Sequence, residues 1–157
     1  MFPSIMGLTI TQTATIEILA PPSTVRSIFM NFKNFSTWQD VFTITPSASQ
    51  APSDLKKDDS VRVTIRNFPF NPTVESNTPE SFVWVGSVPV LLYGTHHFIF
   101  APSEKNPGGT TFTQREDFQG LAAVACWPWR STFKPSEAWE AFNESLKKEA
   151  ERVAGEM

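Results

Sequence analysis

Between residues 136 and 154 apolar side chains recur every three or four positions, at Trp139, Phe142, Leu146, Ala150 and Val153. Glu140, Glu144, Lys147, Lys148, Glu151 and Arg152 fill the other side. That spacing predicts one amphipathic helix. Ser136 stands where an N-cap belongs, acidic Glu137 follows it, basic residues gather toward the far end, and Gly155 marks the stop. At the standard rise the segment makes a rod of roughly 28 Å, about the width of a small domain. The upstream chain must therefore supply the surface on which this rod lies.

A chain of 157 residues is expected to form one domain, 1–157, large enough to bury a core and still enclose a cavity. The single cysteine, Cys126, has no internal partner, and the opening Met-Phe-Pro-Ser-Ile-Met-Gly lacks the basic start and apolar run of a secretory signal. A reducing, cytoplasmic setting is the expectation. No run approaches the ~18 apolar residues of a membrane span. A net charge of −3 with scattered Lys and Arg argues against a nucleic-acid partner. Fourteen Phe and five Trp against one Tyr suit an interior built around flat apolar shapes, whether a packed core or a ligand site.

Residues 1–11 show no period and read as a loose lead-in. Alternation at Ala14, Ile16, Ile18 and Ala20 predicts a strand over 12–20, which Pro21 and Pro22 end. Two short helical pieces follow, over 23–31 and 32–40, the second carrying Phe32, Phe35 and Trp38. Strands are expected over 41–45, 61–65, 73–76, 82–85, 95–100 and 110–118, with a turn at 68–72 and a Pro- and Gly-containing hairpin loop over 101–109. Residues 121–127 extend as a turn or two of helix until Pro128 interrupts. Consecutive strands with short links and a final helix give an α+β architecture, an antiparallel sheet of about seven strands against the C-terminal helix.

Taken in order, Ile-Glu-Ile-Leu-Ala-Pro-Pro-Ser-Thr-Val-Arg-Ser-Ile-Phe at 16–29, Phe-Ser-Thr-Trp-Gln-Asp at 35–40 and Val-Trp-Val-Gly at 83–86 form the first half of a pattern. Tyr-Gly-Thr-His-His-Phe-Ile-Phe at 93–100, the segment Gly108 to Leu121, and Ala-Phe-Asn-Glu-Ser-Leu-Lys at 141–147 complete it. Together they resemble the START and polyketide-cyclase superfamily, the SRPBCC group with the helix-grip fold. The resemblance spans nearly the whole chain. It implies a curved sheet wrapped around the last helix, two short helices after the first strand, and a deep apolar cavity between sheet and helix. Such a cavity would take a lipid, polyketide or other hydrophobic small molecule; it does not identify the ligand or decide whether chemistry follows.

Alternation places His96, Phe98 and Phe100 on one strand face and Phe112, Gln114, Glu116 and Phe118 on another. If Phe100 pairs with Phe112, the register sets Phe98 beside Gln114 and His96 beside Glu116. An imidazole beside a carboxylate among aromatic rings could take and return a proton, as cyclisation, dehydration or isomerisation of a polyketide-like or terpenoid intermediate requires. The same pair would equally serve as a satisfied buried contact that fixes register. Trp84, Trp139 and Phe142 are expected to line the cavity and Asn143 to offer its amide to a ligand oxygen, while the resemblance puts Trp38 at the mouth. His97 has outward parity and reads as solvated, as do Arg62, Arg66, Arg115 and Asp117. Neither metal-ligand spacing nor a phosphate loop is present, so no metal and no cofactor are expected. The reading is a monomer or homodimer that binds and acts on a hydrophobic small molecule. A non-catalytic carrier or sensor of a lipid-like ligand is the alternative.

Overall fold

A computed structural model describes residues 8–88, 91–132 and 137–157; the lead-in up to residue 7 and the Ser136 cap lie outside the described residues. Strand β1 (Ile10–Ile18) keeps the alternation that announced it, with Ile10, Ala14 and Ile18 buried. Pro21 and Pro22 then start helix α1 (Pro22–Phe29), because a ring-fixed φ without an N–H suits a first helical turn. A 3-10 turn over Phe32–Thr37 follows, burying Phe32 and Phe35.

Next come β2 (Phe42–Pro46), β3 (Val61–Ile65), β4 (Phe68–Phe70), β5 (Thr73–Asn77), β6 (Ser81–Val88), β7 (Leu92–Pro102) and β8 (Thr110–Gln119). The chain closes with α2 (Leu121–Cys126), a 3-10 stretch over Trp127–Thr132, and α3 (Glu137–Gly155). The change from α to 3-10 geometry falls beside Pro128, where the missing N–H stops the α ladder.

Eight strands are present among the described residues, in antiparallel sheets ordered β1-β8-β7-β6-β5 and β2-β3-β4. The sequence predicted about seven in one sheet. The extra one is β4, which falls where a turn was expected over 68–72. The chain turns earlier, at Arg66, whose φ of 52° is left-handed. Pro69 is tolerated because β4 is an edge strand and pairs on one side only, with β3. The two sheets meet where Ser60 bridges Thr73 and Val61 donates to the Pro72 carbonyl.

Helix α3 packs against β1 and α1. Phe29 is the hub of the interior, its ring within 6.4 Å of those of Phe32, Phe35, Phe82, Phe98, Phe100, Phe112 and Phe142. Phe142 reaches from α3 to Phe42 of the smaller sheet, 4.8 Å centroid to centroid. Near the far end of α3, Lys147 donates to the Glu17 carbonyl and Glu151 accepts from the Leu19 amide, which fixes the helix along β1. Among the described residues, no helix is long and apolar enough to cross a membrane.

Candidate functional site

Register decides which side chains stand in line across the larger sheet. Phe100 faces Phe112, Phe98 faces Gln114 and His96 faces Glu116, as the alternation predicted. The row through His96 runs Gln12, Glu116, His96, Trp84, Val74. The next row on the same face runs Ile10, Phe118, Gly94, Gly86. Two paired glycines therefore leave a gap beside the Glu116–His96–Trp84 row. The gap is a cleft of about 380 Å³, walled by Trp84, Leu92 and Phe118 on one side and by Ile65, Phe68 and Phe70 of the β3–β4 hairpin on the other. None of its lining residues belongs to α3.

At the cleft floor His96 Nδ1 stands 3.2 Å from Glu116 Oε2. The imidazole is 1 % exposed, stacked on Phe98 with centroids 4.3 Å apart and met edge-on by the Trp139 ring at 4.8 Å. Its other nitrogen, Nε2, lies 3.0 Å from Gln114 Oε1. The Gln114 amide nitrogen donates to Asn143 Oδ1 at 2.7 Å and to the Trp139 carbonyl at 3.4 Å. The Asn143 amide nitrogen donates to the Ala14 carbonyl at 3.4 Å.

Direction along this chain is fixed by its ends. A backbone carbonyl only accepts, so the carbonyls of Ala14 and Trp139 orient the two amides, and Gln114 must present its oxygen to His96. The hydrogen of the neutral imidazole is then on Nε2, and Nδ1 is the nitrogen turned to Glu116. Two bare lone pairs at that distance would repel; the geometry accommodates one proton between Nδ1 and Oε2, carried by either group. Buried polar side chains tied in this way replace water with fixed partners.

The structure places the sequence-predicted residues in three settings. Trp84, His96, Glu116 and Phe118 line the cleft. Gln114 and Asn143, with Phe98 and Trp139 packed around them, build the buried relay, and both ends of the Asn143 amide are occupied inside the protein. Phe142 is fully buried in the aromatic core, and Trp38 packs at its margin, 5.5 Å from Phe142 and 5.2 Å from Phe35. The centre of the space between sheet and helix is thus filled with rings, and the cleft lies between the larger sheet and the β3–β4 hairpin. Gly86, Gly94 and the β3–β4 hairpin were not foreseen as parts of the site. The signal was present in the glycines, each two residues from an inward-facing aromatic ring, Trp84 or His96.

His97 points to the other face, 3.5 Å from Asp117. Burial pushes its titration below the ordinary range, against the opposing pull of the Asp117 charge. A second groove, about 420 Å³, follows the 3-10 turn and β2. Its buried polar group, Gln39, is taken up by the backbone of Val41 and Phe42, and the Gln50 amide at its edge donates to Asp59. Next to the cleft, and sharing Leu92 and Phe118 with it, lies an apolar cavity of about 230 Å³ against α2 and Cys126.

No protein-family model matches the chain, and no curated protein sequence matches it. Solved structures do. A START superfamily protein from Mycobacterium smegmatis aligns over 91% of this chain and 98% of its own at 15% identity, with a TM-score of 0.60. A Thalictrum norcoclaurine synthase point mutant, in complex with a transition-state analogue, aligns over 92% of this chain and 96% of its own at 8% identity and a TM-score of 0.64. The di-domain ARO/CYC StfQ from the steffimycin biosynthetic pathway aligns at 10% identity and a TM-score of 0.65 over 94% of this chain, which spans about half (53%) of that protein.

Proposed function

We propose that this protein, whose fold is that of the START-like (SRPBCC) proteins, binds a hydrophobic small molecule in the cleft above Gly94 and exchanges a proton with it through Glu116. The observation that carries this reading is the one titratable pair of the lining, Nδ1 to Oε2 at 3.2 Å, at the floor of a cleft whose other lining residues are apolar apart from Asn71 and Ser87. Aromatic walls supply affinity, and one fixed polar group orients the ligand. Because His96 is 1 % exposed, the carboxyl of Glu116 is the group that meets the ligand, and His96 stands behind it within hydrogen-bond reach. A carboxylate so placed can remove a proton next to a ligand carbonyl and return it at another atom, the elementary step of cyclisation, dehydration and isomerisation. The fold is shared with ARO/CYC proteins of biosynthetic pathways and with norcoclaurine synthase, which favours a polyketide-like or aromatic biosynthetic intermediate as substrate.

The non-catalytic alternative, a carrier or sensor, is favoured by the depth at which His96 is tied to Gln114. One experiment separates the two. Native mass spectrometry of gently purified protein identifies the retained ligand, and that ligand and its oxidised, hydrated and cyclised relatives are incubated with wild type, Glu116→Gln and His96→Gln. The enzyme reading expects conversion by wild type and a loss of at least about a hundredfold in both variants. Unchanged conversion in the variants rules the pair out as catalytic, and retention without conversion leaves a carrier.

A further inference from the structure

The two oxygens of Glu116 have different surroundings. Oε2 faces His96, whereas Oε1 lies over Gly94, so close that a Cβ there would stand 2.6 Å away. Among the described residues Oε1 has no hydrogen-bond partner, and the side chain keeps 19% of its surface exposed toward the cleft. No Lys or Arg lines the cleft. We infer that the cleft selects an apolar ligand ending in a hydroxyl group, an alcohol or phenol, and discriminates against the same skeleton ending in a carboxylate or an ammonium. This inference rests on the ligand-binding reading above.

A His96–Glu116 pair bridged by one proton carries no net charge. An arriving anion finds no cation, sets its oxygens against Oε1, and has only the neutral side chains of Asn71 and Ser87 to replace its hydration. An arriving ammonium stabilises the carboxylate but brings a charge into apolar surroundings that hold no net charge to balance it. A hydroxyl donates one hydrogen bond to Oε1, leaves the shared proton in place and brings no charge. Discrimination by a site built to accept a hydrogen bond is strong, because the wrong head group leaves the acceptor unpaired.

The test titrates the full-length protein at neutral pH with 2-naphthylmethanol, 2-naphthoate and 2-naphthylmethylammonium, read by calorimetry. The alcohol is expected to bind at least about tenfold more tightly than either charged probe. Glu116→Leu is expected to bring the alcohol and the carboxylate to within about threefold of each other, and Gly94→Ala, which pushes Oε1 aside, to do so in part. If 2-naphthoate or the ammonium binds as tightly as the alcohol, the selectivity fails while the ligand-binding reading stands. If none of the three binds, both fail. An alcohol preference that survives both substitutions shows that another group reads the hydroxyl and overturns the assignment to Oε1.

Discussion

Gly94 lies beneath the carboxylate of Glu116, with room for a hydrogen and not for a methyl group: a Cβ would stand 2.6 Å from Oε1. Its backbone is extended within β7 and needs no left-handed conformation. Gly94→Ala therefore puts no strain on the main chain and moves only the end of a flexible side chain. The variant should unfold within about 1 kcal/mol of wild type, since removing a strand glycine offsets the local push. Its affinity for a cleft ligand should fall several-fold. Equal affinity in the two proteins would show that the Oε1 position is irrelevant to binding.

Gln114 and Asn143 hold the polar relay between sheet and helix, and each is the other's partner at 2.7 Å. Replacing either by Leu strands a buried amide and should cost roughly 2 to 4 kcal/mol in urea unfolding. The double replacement should cost clearly less than the two singles together, because the partners disappear at once. Strict additivity would mean that the two side chains stabilise the fold independently.

Phe142 stands at the junction of α3, α1 and the smaller sheet with no exposed surface. Phe142→Ala should destabilise by about 3 to 5 kcal/mol through lost transfer energy and the cavity left behind. Below the unfolding transition it should leave cleft affinity within about twofold, since no residue of α3 lines the cleft. A benzene-sized guest that restores the melting temperature would confirm the void; a selective loss of cleft affinity would count against the separation of core and site.

Phe68, 71% exposed on the lip of the cleft, contributes little to the folded state. Phe68→Ser should change stability by no more than about 0.5 kcal/mol and weaken binding of an apolar ligand about three- to tenfold by removing one wall. Unchanged affinity would place the ligand elsewhere.

Glu17 accepts hydrogen bonds from Ser103 at 2.6 Å and Thr111 at 2.7 Å, and these hold its carboxyl below the ordinary range. The folded state thus prefers the ionised form. Stability from this source is complete above the unfolded carboxylate pKa and is lost as pH falls through the lower folded one. Thr111→Val, which removes one donor and keeps the shape, should narrow its stability gap to wild type as unfolding is measured from pH 7 down to pH 2. A gap constant across that range would refute the linkage.

The His96–Glu116 contact was legible because the β7–β8 hairpin is long and its residues alternate cleanly, so that matching one aromatic pair fixed all the others. The α3 stripe was legible for the analogous helical reason. Strand β4 was not, since Phe-Pro-Phe-Asn-Pro carries turn residues and only the edge position makes Pro69 acceptable. The cleft was hidden for a different cause. Gly86 and Gly94 are unremarkable singly, and only strand pairing makes one gap of them. Nor does periodicity reveal the turn of α3 about its own axis that sets Asn143 over Gln114 rather than toward a ligand.

The relay of amides behind His96 ends on the main chain, at the oxygen of Ala14, and every protein built on this backbone has that oxygen whatever its side chains become. Substitution can interrupt the sequence of donors and acceptors at residue 96, 114 or 143, but a reversed sequence would need a donor where the peptide group offers none. The imidazole's orientation toward the cleft is therefore inherited from the path of the first strand, and redesign of the ligand preference has to begin at residues 94 and 116.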